Sequence, residues 1–441
     1  MKNIRPTWIA LGLALLHLIL SLVYAKITPY RQAGTIRYLH NLQVPDIGAP
    51  DERQHANYVQ SLLDGHLPVF RPNSAEMGEH YEDHQPPLFY ALDAGWAKLV
   101  GVSSVEQPAG VRLRYLNCLV GAGTVLGVYF LVWWGYRRSD IALAAAAIAA
   151  VLPMNCALSG AISNDPLLFL LCTWTLALLA RALNETWTLR RAVEVGLLTG
   201  LALLTKTTAI ALLPILLLAV LIKRENRPSA AQIVGAAIPL VLLALPWLMR
   251  NQALYGDPLA MGAFKKAFTG TAQADAFVQI SGPLGYWISW VGWWAGRSFI
   301  GVFGYMDIWL NSSGLPYANP AHPDPNLLYR ISLAIMLITG LAWLFSFRQQ
   351  EWKPSSAVQW MLLLFVILIK LSFLSFNMQY FQGQGRYLYP AIGSITVAIV
   401  VGAHVLLRER AKFLTWGFAI LLFLANLYAI SILPHEFALR M

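Results

Sequence analysis

Residues 8–25 read "WIALGLALLHLILSLVYA", a run without a formally charged side chain. A helix of about 20 apolar residues can cross a bilayer, and similar runs recur along the chain, such as "WMLLLFVILIKLSFLSF" at 360–376. The basic "MKNIR" before the first run is typical of a signal peptide, but no clear small-x-small cleavage site follows it. We therefore predict that this run is kept as the first of many membrane helices.

The composition of the 441-residue chain also indicates a membrane protein. Only 12% of the residues are charged and 57% are hydrophobic, whereas soluble domains carry about a quarter charged residues. The net charge of +10 is explained by the Lys and Arg that short cytoplasmic loops collect, so no nucleic-acid partner is predicted. The three cysteines lie in or near apolar segments without metal-ligand spacing, and we expect them to be packing residues.

The pattern of apolar runs predicts an all-α polytopic membrane protein with about 11 transmembrane helices. The predicted spans are 8–25, 111–134, 140–155, 166–183, 192–205, 208–222, 231–249, 327–347, 357–375, 387–406 and 413–433.

Basic clusters predict the orientation of these spans. They concentrate in the connections on one side, which the positive-inside rule makes cytoplasmic. The N-terminus is then cytoplasmic, in one membrane domain (1–441) of the plasma (inner) membrane. Two long connections, 26–110 and 250–326, lie on the periplasmic or extracellular side, and the first is expected to carry amphipathic helices. The aromatic segment 282–306 is predicted to be interfacial or re-entrant, because counting it as a span would place the basic "FRQQEWK" outside.

Polar side chains beside membrane helices are costly, so their positions indicate function. In this topology they gather at the external ends of the helices, where we expect one site. The candidates are Asp51, Glu52, His55, His84, Gln85, Asn164, Asp165, Lys206, Arg250, Asn251, Gln384, Arg386 and Tyr387.

The stretch "PDERQHANYVQSLL" at 50–63 predicts a helix that begins near Asp51. Helical spacing puts Asp51 and His55 on one stripe with Tyr58 and Leu62, facing the membrane body. The alternative is that Asp51 caps the helix and that Glu52 complements its positive end. Capping explains an acid at this position, but it does not explain the many polar helix ends on the same side.

The motif "HQPPLFYAL" at 84–92 predicts a turn that enters a second amphipathic helix, with His84 and Gln85 held extended in front of it. A solvated loop is the alternative for these two residues. A metal site built from Asp51, His55 and His84 is a further alternative. No cofactor is assigned, and a divalent metal is left open.

Two of the residues at helix ends each allow two interpretations. Asp165 either caps the fourth span or contacts substrate, and Lys206 either snorkels to the surface or binds an anion. Arg386 is the strongest cationic candidate, because it opens a span from the outside, where Arg is disfavoured. The glycines at 383 and 385 would let a ligand approach the backbone beside it.

Carboxylates on an external loop, cations at helix ends and a lipid-exposed body are what sugar transfer from a lipid-linked phosphate requires. A carboxylate accepts the proton of the acceptor hydroxyl, and Arg and Lys stabilise the phosphate that leaves. The predicted partners are a polyprenyl-phosphate sugar donor, membrane lipid, and a glycan, lipid or protein acceptor.

In order along the chain, "PDExxH", "HQPPLFY", "SNDPL", "LLTK" and "GRYLYP" resemble the polytopic GT-C glycosyltransferases. The similarity is greatest to the branch of protein O-mannosyltransferases and lipid A aminoarabinose transferases, and to related bacterial membrane families. The resemblance implies that Asp51 is the catalytic base with Glu52 in support, and that Arg386 and Lys206 contact phosphate. Asp165 matches a second acidic motif that contacts acceptor or metal in some members. The chain lacks the large soluble insert of the mannosyltransferases and ends soon after its last span, so the acceptor class is left open.

Two other functions are compatible with these residues. A polysaccharide polymerase or ligase would also use external Arg and His on a polytopic body. A transporter or lipid flippase would place ionisable groups near the membrane midplane and often repeat its halves. No such halves are found, and Lys370 is the main charge deep in a span.

Overall fold

The structure is a computed structural model that describes residues 4–37, 41–72, 74–222, 226–311 and 327–441. Helix accounts for 76% of it, so the predicted all-α class is confirmed. The helices are α1 Ile4–Ile27, α2 Glu52–Leu63, α3 Met77–His80, α4 Leu88–Leu99, α5 Arg114–Tyr136, α6 Ser139–Val151, α7 Pro153–Ser159, α8 Asp165–Asn184, α9 Leu189–Leu203, α10 Leu212–Leu221, α11 Ala230–Tyr255, α12 Met261–Ala267, α13 Ala274–Gly285, α14 Trp293–Ile300, α15 Leu327–Ser346, α16 Ser356–Asn377, α17 Ile392–Leu407 and α18 Ala411–Ala438.

Two short antiparallel ribbons complete the described elements. Strand β1 (Gly34–Ile36) pairs with β2 (Leu42–Val44), and Gly34 lies opposite Val44. Strand β3 (Val302–Phe303) pairs with β4 (Ile308–Trp309). Both ribbons lie in the long connections rather than in the helical body.

Helices occur at all eleven predicted span positions, but the predicted number of crossings is not confirmed. Among the described residues, seven helical stretches are long and apolar enough to cross a membrane, or eight if the bent pair α6–α7 is one span. One of the seven joins α17 and α18, which were predicted as separate spans. Helix α10, with 10 residues, rises only about 15 Å, half of the hydrocarbon core.

The bend between α6 and α7 shows how the membrane body accommodates a broken helix. The two helices meet at 63°, because Pro153 has no N–H to continue the ladder of α6. Buried side chains donate to the carbonyl oxygens freed at the end of α6, as backbone inside a membrane requires. The donors to Ala149, Ala150 and Val151 are Asn155 at 2.9 Å, His17 at 2.9 Å and Asn426 at 2.6 Å. His17 belongs to α1 and Asn426 to α18, so these bonds tie both helices to the bend.

Glycine allows two pairs of helices to pack with their backbones nearly in contact. A Cβ added to Gly196 of α9 would lie 1.9 Å from the Ala236 carbonyl oxygen of α11. A Cβ on Gly402 of α17 would lie 1.9 Å from the Thr339 carbonyl oxygen of α15. Small residues serve helix packing in membranes in this way, and these contacts fix the bundle that carries the first connection.

The connection 26–110 is partly helical, as predicted, and its helices α2 and α4 pack through stacked aromatic rings. Tyr58 of α2 and Tyr90 of α4 have ring centroids 3.7 Å apart. The buried face of α2 differs from the prediction: Glu52, rather than Asp51, heads the stripe that continues through His55 and Val59. Asp51 precedes the helix, so its side chain is free to point elsewhere.

In the connection 250–326, the described part ends at residue 311, and residues 312–326 lie outside the described ranges. Helix α13 is kinked at Gly282, where φ is 71°, and a π-helical stretch, Tyr286–Gly292, leads into α14. The segment 282–306 is not among the described stretches that are long and apolar enough to cross a membrane. Its aromatic side chains instead contact the residues just before α17.

Candidate active site

Asp51 lies at the centre of the polar residues, and both of its carboxylate oxygens are engaged. The Tyr81 hydroxyl donates to Oδ1, and Nη2 of Arg386 donates to Oδ2. Asp51 and Arg386 are 335 residues apart in sequence. The fold therefore brings the acid of the first connection to the cation that opens the α17 region.

The backbone at Asp51 explains why this side chain is available. Asp51 has φ 63° and ψ 0°, the left-handed conformation, and its side chain forms no capping hydrogen bond to α2. Asp tolerates this conformation better than most residues do. Asp51 thus occupies the N-cap position of α2 without capping the helix through its side chain.

A second ion pair lies beside the first. Nζ of Lys206 is 2.5 Å from Oδ1 of Asp165, and Oδ2 of Asp165 is 4.0 Å from Nη1 of Arg386. Asp165 begins α8 and forms no capping bond, since the N-cap position belongs to Asn164. Arg386 is therefore flanked by two carboxylates, and Lys206 neutralises the more deeply buried one.

Burial and the neighbouring charges determine the protonation states of the acids and of His55 in the first connection. Burial would raise the pKa of Asp51, but the positive charge of Arg386 and the hydrogen bonds from Tyr81 and Arg386 outweigh it and lower the pKa to about 2. Burial raises the pKa of Glu82 and lowers that of His55. At neutral pH, Asp51 is therefore a stable carboxylate that faces an arginine.

Asp51, Tyr81, Arg386 and Tyr387 line a cavity of about 560 Å³. The remaining walls are largely aromatic and come from the connection 250–326 and from the segment before α17. They include Phe268, Phe277, Trp290, Trp294, Tyr305 and Phe381. A charged end and aromatic walls suit a ligand with an anionic group and an apolar or sugar-like face.

The aromatic wall is a packed cluster rather than a set of loose rings. Phe277 of α13 lies 4.4 Å from Phe381 and 4.9 Å from Trp290, measured between ring centroids. All three rings line the cavity. The segment predicted to be interfacial or re-entrant thus contributes a wall of the candidate site.

Glu52 does not reach the cavity. Its two oxygens accept from Nε and Nη2 of Arg114 at 2.7 and 2.6 Å, and one also accepts from the Ile162 N–H at 2.8 Å. Both side chains are 0% exposed. The structure therefore gives Glu52 a role in holding α5, α2 and the α7–α8 turn together, and any support of Asp51 is indirect.

His55, His84 and Gln85 lie behind the ion pairs. His55 Nδ1 is 2.8 Å from the Tyr90 hydroxyl, and His84 Nδ1 donates to the Tyr81 carbonyl oxygen at 2.5 Å. Gln85 accepts from the Asn164 side chain at 3.3 Å. None of the three lines the cavity, so they support the loop that carries Tyr81.

Arg250 lies apart from the Asp51 cluster. Its Nη2 donates to the Pro68 carbonyl oxygen at 2.6 Å, and its guanidinium carbon is 4.8 Å from the centroid of the Trp247 ring. The structure therefore does not join Arg250 to the predicted substrate contacts. Asn251, its neighbour, donates to the Pro258 carbonyl oxygen at 3.1 Å.

The glycines before Arg386 pack closely against α14. A Cβ on Gly385 would lie 2.3 Å from the Phe299 backbone nitrogen of α14, and one on Gly383 would lie 3.0 Å from Cβ of Trp294. Gly383 also lines the cavity, so a close approach of a ligand to its backbone stays a prediction. These glycines position Arg386 against the aromatic wall.

A metal site from Asp51, His55 and His84 is not assembled. Within the described ranges, no group of three or more His, Cys, Asp or Glu residues is placed to hold a metal ion. His55 and His84 each use Nδ1 on a tyrosine partner instead. We derive no chemical step through a metal.

Several residues of the site were not predicted from the sequence. Tyr81 lies only three positions before the predicted His84, and a tyrosine in "HYEDHQPP" was the available signal. Tyr305 and Met306 come from the β3–β4 turn. Arg114, at the start of α5, gave a signal too, because a charge at the end of an apolar run needs a partner.

A family model described as dolichyl-phosphate-mannose-protein mannosyltransferase matches residues 84–249, less than half of the chain. A sequence comparison with curated proteins finds none that matches.

Among solved structures, ArnT from Cupriavidus metallidurans in the apo state is similar with a TM-score of 0.54 and 13% identity, covering 96% of this chain and 77% of that one. ArnT bound to undecaprenyl phosphate gives 0.52 and 13%, covering 97% and 77%. The oligosaccharyltransferase of Archaeoglobus fulgidus in the apo form gives 0.53 and 14%, covering 97% and 55%.

The similarity extends over nearly all of this chain, which spans about half the length of the archaeal oligosaccharyltransferase. Because the sequence identities are this low, the comparisons with solved structures establish the fold alone. Together with the long apolar helices, they show that the chain is an integral membrane protein with the fold of the GT-C glycosyltransferases.

Proposed function

We propose that this chain transfers a sugar from a polyprenyl-phosphate donor to an acceptor hydroxyl at the external face of the membrane. The observation that carries the proposal is the contact of Asp51 with Arg386 at the charged end of an aromatic cavity. A base and a phosphate-binding cation are thereby next to each other, within reach of one bound sugar phosphate.

In the proposed reaction, the acceptor oxygen forms a bond to the anomeric carbon while the bond from that carbon to the phosphate oxygen breaks. The electron pair of the broken bond stays on the polyprenyl phosphate, whose charge Arg386 stabilises. The proton of the acceptor hydroxyl passes to Asp51. Attack from the side opposite the phosphate inverts the anomeric centre, and positioning of both substrates in one cavity contributes much of the rate.

Lys206 and Asp165 have supporting roles in this proposal. Asp165, which pairs with Lys206 at 2.5 Å, also lies 4.0 Å from Nη1 of Arg386, and we assign this pair to keeping the guanidinium in place. Tyr387, whose ring centroid is 5.3 Å from the Arg386 guanidinium carbon, lines the cavity beside it. We assign Tyr387 to the sugar or acceptor and the aromatic wall to the apolar faces of the ligands.

The names of similar proteins support the donor class. The matched family model is described by its dolichyl-phosphate-mannose donor, and one similar structure contains undecaprenyl phosphate. The transporter alternative has weaker support, because Lys370, the main charge deep in a predicted span, is exposed on the outer surface of α16. The positive-inside pattern supports a cytoplasmic N-terminus and an external site.

The test is donor turnover by the purified protein in lipid nanodiscs. A panel of polyprenyl-phosphate sugars is supplied with an envelope extract as acceptor, and released polyprenyl phosphate is measured. We expect release by the wild type from at least one donor, with inversion in the product, and none above background by Asp51→Asn. Equal release by the two proteins would remove Asp51 from the mechanism, and no release with any donor would argue against a transferase.

A further inference from the structure

The Asp51–Arg386 contact raises a problem for a base. A carboxylate that removes a proton needs an oxygen within hydrogen-bond reach of the acceptor hydroxyl. Here Oδ1 accepts from Tyr81 and Oδ2 from Arg386, while the Asp51 side chain is 28% exposed to the cavity side. A carboxylate oxygen can accept a second hydrogen bond, as one oxygen of Glu52 does. However, although burial would raise the pKa of Asp51, the guanidinium of Arg386 lowers it, so Asp51 becomes a stronger base only when the contact with Arg386 opens.

The two contacts differ in how readily a phosphate would open them. A guanidinium binds two oxygens of one anion best through Nε and Nη2 together. Arg114 binds Glu52 in this way. Arg386 donates to Asp51 only through Nη2. Among the described residues, the buried Nε of Arg386 has no hydrogen-bond partner. A phosphate with two free oxygens can use both nitrogens, and it would then displace Asp51.

The hydroxyl of Tyr81 can continue to donate to Oδ1 of Asp51 when the contact with Arg386 opens. Burial and the negative charge of Asp51 raise the pKa of Tyr81 well above its usual range, so the hydroxyl keeps its proton and donates. It is fixed by its loop, since the Tyr81 carbonyl oxygen accepts from His84 at 2.5 Å. Displacement of Asp51 from Arg386 would free Oδ2 and leave Oδ1 oriented by Tyr81.

We propose that the donor phosphate takes Arg386 from Asp51, so that the base is uncovered only after the donor has bound. This inference rests on the proposed function and adds to it an order of events: donor first, then deprotonation of the acceptor. It also predicts that Asp51 competes with the donor for the same guanidinium in the free protein.

The competition gives a test that needs no turnover. Undecaprenyl phosphate is titrated into nanodiscs that contain wild type, Asp51→Asn, Arg386→Gln or the double variant, and its dissociation constant is measured. If Asp51 holds Arg386 in about nine molecules of ten, removing its charge tightens binding about tenfold. The same substitution should change nothing in the Arg386→Gln background, where there is no guanidinium to release.

Glu79→Gln is the matched control for the loss of one negative charge. Glu79 lies two residues before Tyr81, pairs with Arg53 and is 38% exposed. We expect the Glu79→Gln variant to bind undecaprenyl phosphate with the same dissociation constant as the wild type. Thermal unfolding of every variant checks that each is folded.

The outcomes separate the two proposals. Tighter binding by Asp51→Asn only when Arg386 is present supports the exchange. Unchanged or weaker binding by Asp51→Asn, or a gain that persists in the Arg386→Gln background, overturns the exchange but leaves the donor class standing. No binding of undecaprenyl phosphate by any folded variant overturns both the exchange and the proposed donor.

Discussion

Two adjacent acids, Asp51 and Glu52, each pair with an arginine that is distant in sequence, and the two pairs differ in how many of their hydrogen-bonding atoms have partners. Glu52 and Arg114 are 0% exposed, and the guanidinium also donates to the carbonyl oxygens of Ala25 in α1 and of Thr28 and Pro29 after it. Asp51 is 28% exposed, and Arg386 uses one nitrogen on it. We call the Glu52–Arg114 pair saturated, because all three guanidinium nitrogens have acceptors, and such a pair can only stabilise the fold. The Asp51–Arg386 pair is unsaturated and lies beside a cavity, so it can exchange partners with a ligand.

The largest expected effect comes from breaking the saturated pair. Arg114→Gln leaves Glu52 buried without a counter-charge, which costs about 3–5 kcal/mol in the free energy of unfolding. We expect a strong drop in the yield of folded protein and in the thermal unfolding midpoint in nanodiscs. Arg112→Gln is the control, because Arg112 is exposed two residues away and should behave as the wild type. Equal midpoints for the two variants would contradict the structural role of Arg114.

Asp51→Asn should affect activity rather than folding. Loss of a general base lowers turnover about 10³-fold. The fold should persist because Asn also tolerates the left-handed conformation at this position. The measurement is polyprenyl phosphate release per folded molecule, together with the unfolding midpoint. A lowered midpoint would mean that the Asp51 contact stabilises the fold, as the Glu52 contact does.

Arg386→Lys retains the positive charge but loses the fork of nitrogens. We expect transfer to fall about 100-fold, since Lys cannot bind a phosphate through two fixed donors. The rate of transfer is measured at saturating and at low donor, beside Lys412→Arg as a control on α18. Near-normal transfer by Arg386→Lys would show that a point charge suffices and that the vacant Nε is irrelevant.

The smallest effect is expected for Asp83, a buried carboxyl of the same loop whose ion-pair partner among the described residues is a histidine rather than an arginine. Burial raises its pKa to about 6, although the partly exposed His80 at 3.2 Å lowers it. A raised pKa means that stability is present below the unfolded pKa near 4 and is lost as the pH rises through 6. Asp83→Asn should therefore be more stable than the wild type at pH 8, by about 1–2 kcal/mol.

The check is the unfolding midpoint of wild type and Asp83→Asn across this pH range. The difference should shrink as the pH falls from about 6 to 4. A midpoint for Asp83→Asn below that of the wild type at pH 8 would show that the contact of Asp83 with His80 outweighs the burial of the charge.

Much of the fold could be predicted, because apolar runs and basic loops are local patterns. Helices occur at every predicted span position, but the bend between α6 and α7 was not predicted, and its signal in the sequence is Pro153 within an apolar run. The number of crossings could not be fixed, since α9 and α10 are short, and since α17 and α18 lie in one apolar helical stretch that only the non-helical backbone at Arg408 divides. Whether a helix can cross the membrane depends on its length in residues. The sequence does not define that length clearly where two helices meet in a hairpin.

The site was predicted in part. Polarity at helix ends identified Asp51, Asp165, Lys206 and Arg386, which the fold does gather. The roles of Asp51 and Glu52 could not be separated, because their partners lie 335 and 62 residues away. Helical spacing assigned Asp51 to the buried stripe, but its left-handed backbone moves it off α2 and leaves Glu52 there.

The central claim is that Asp51 serves the reaction and Glu52 serves the fold. The most direct measurement is sugar transfer per folded molecule by Asp51→Asn and Glu52→Gln in the same nanodisc preparation. We predict that Asp51→Asn is folded and inactive, whereas Glu52→Gln yields little folded protein but each folded molecule transfers within a fewfold of the wild-type rate. Full activity of folded Asp51→Asn, or abolished activity of folded Glu52→Gln, would contradict the account.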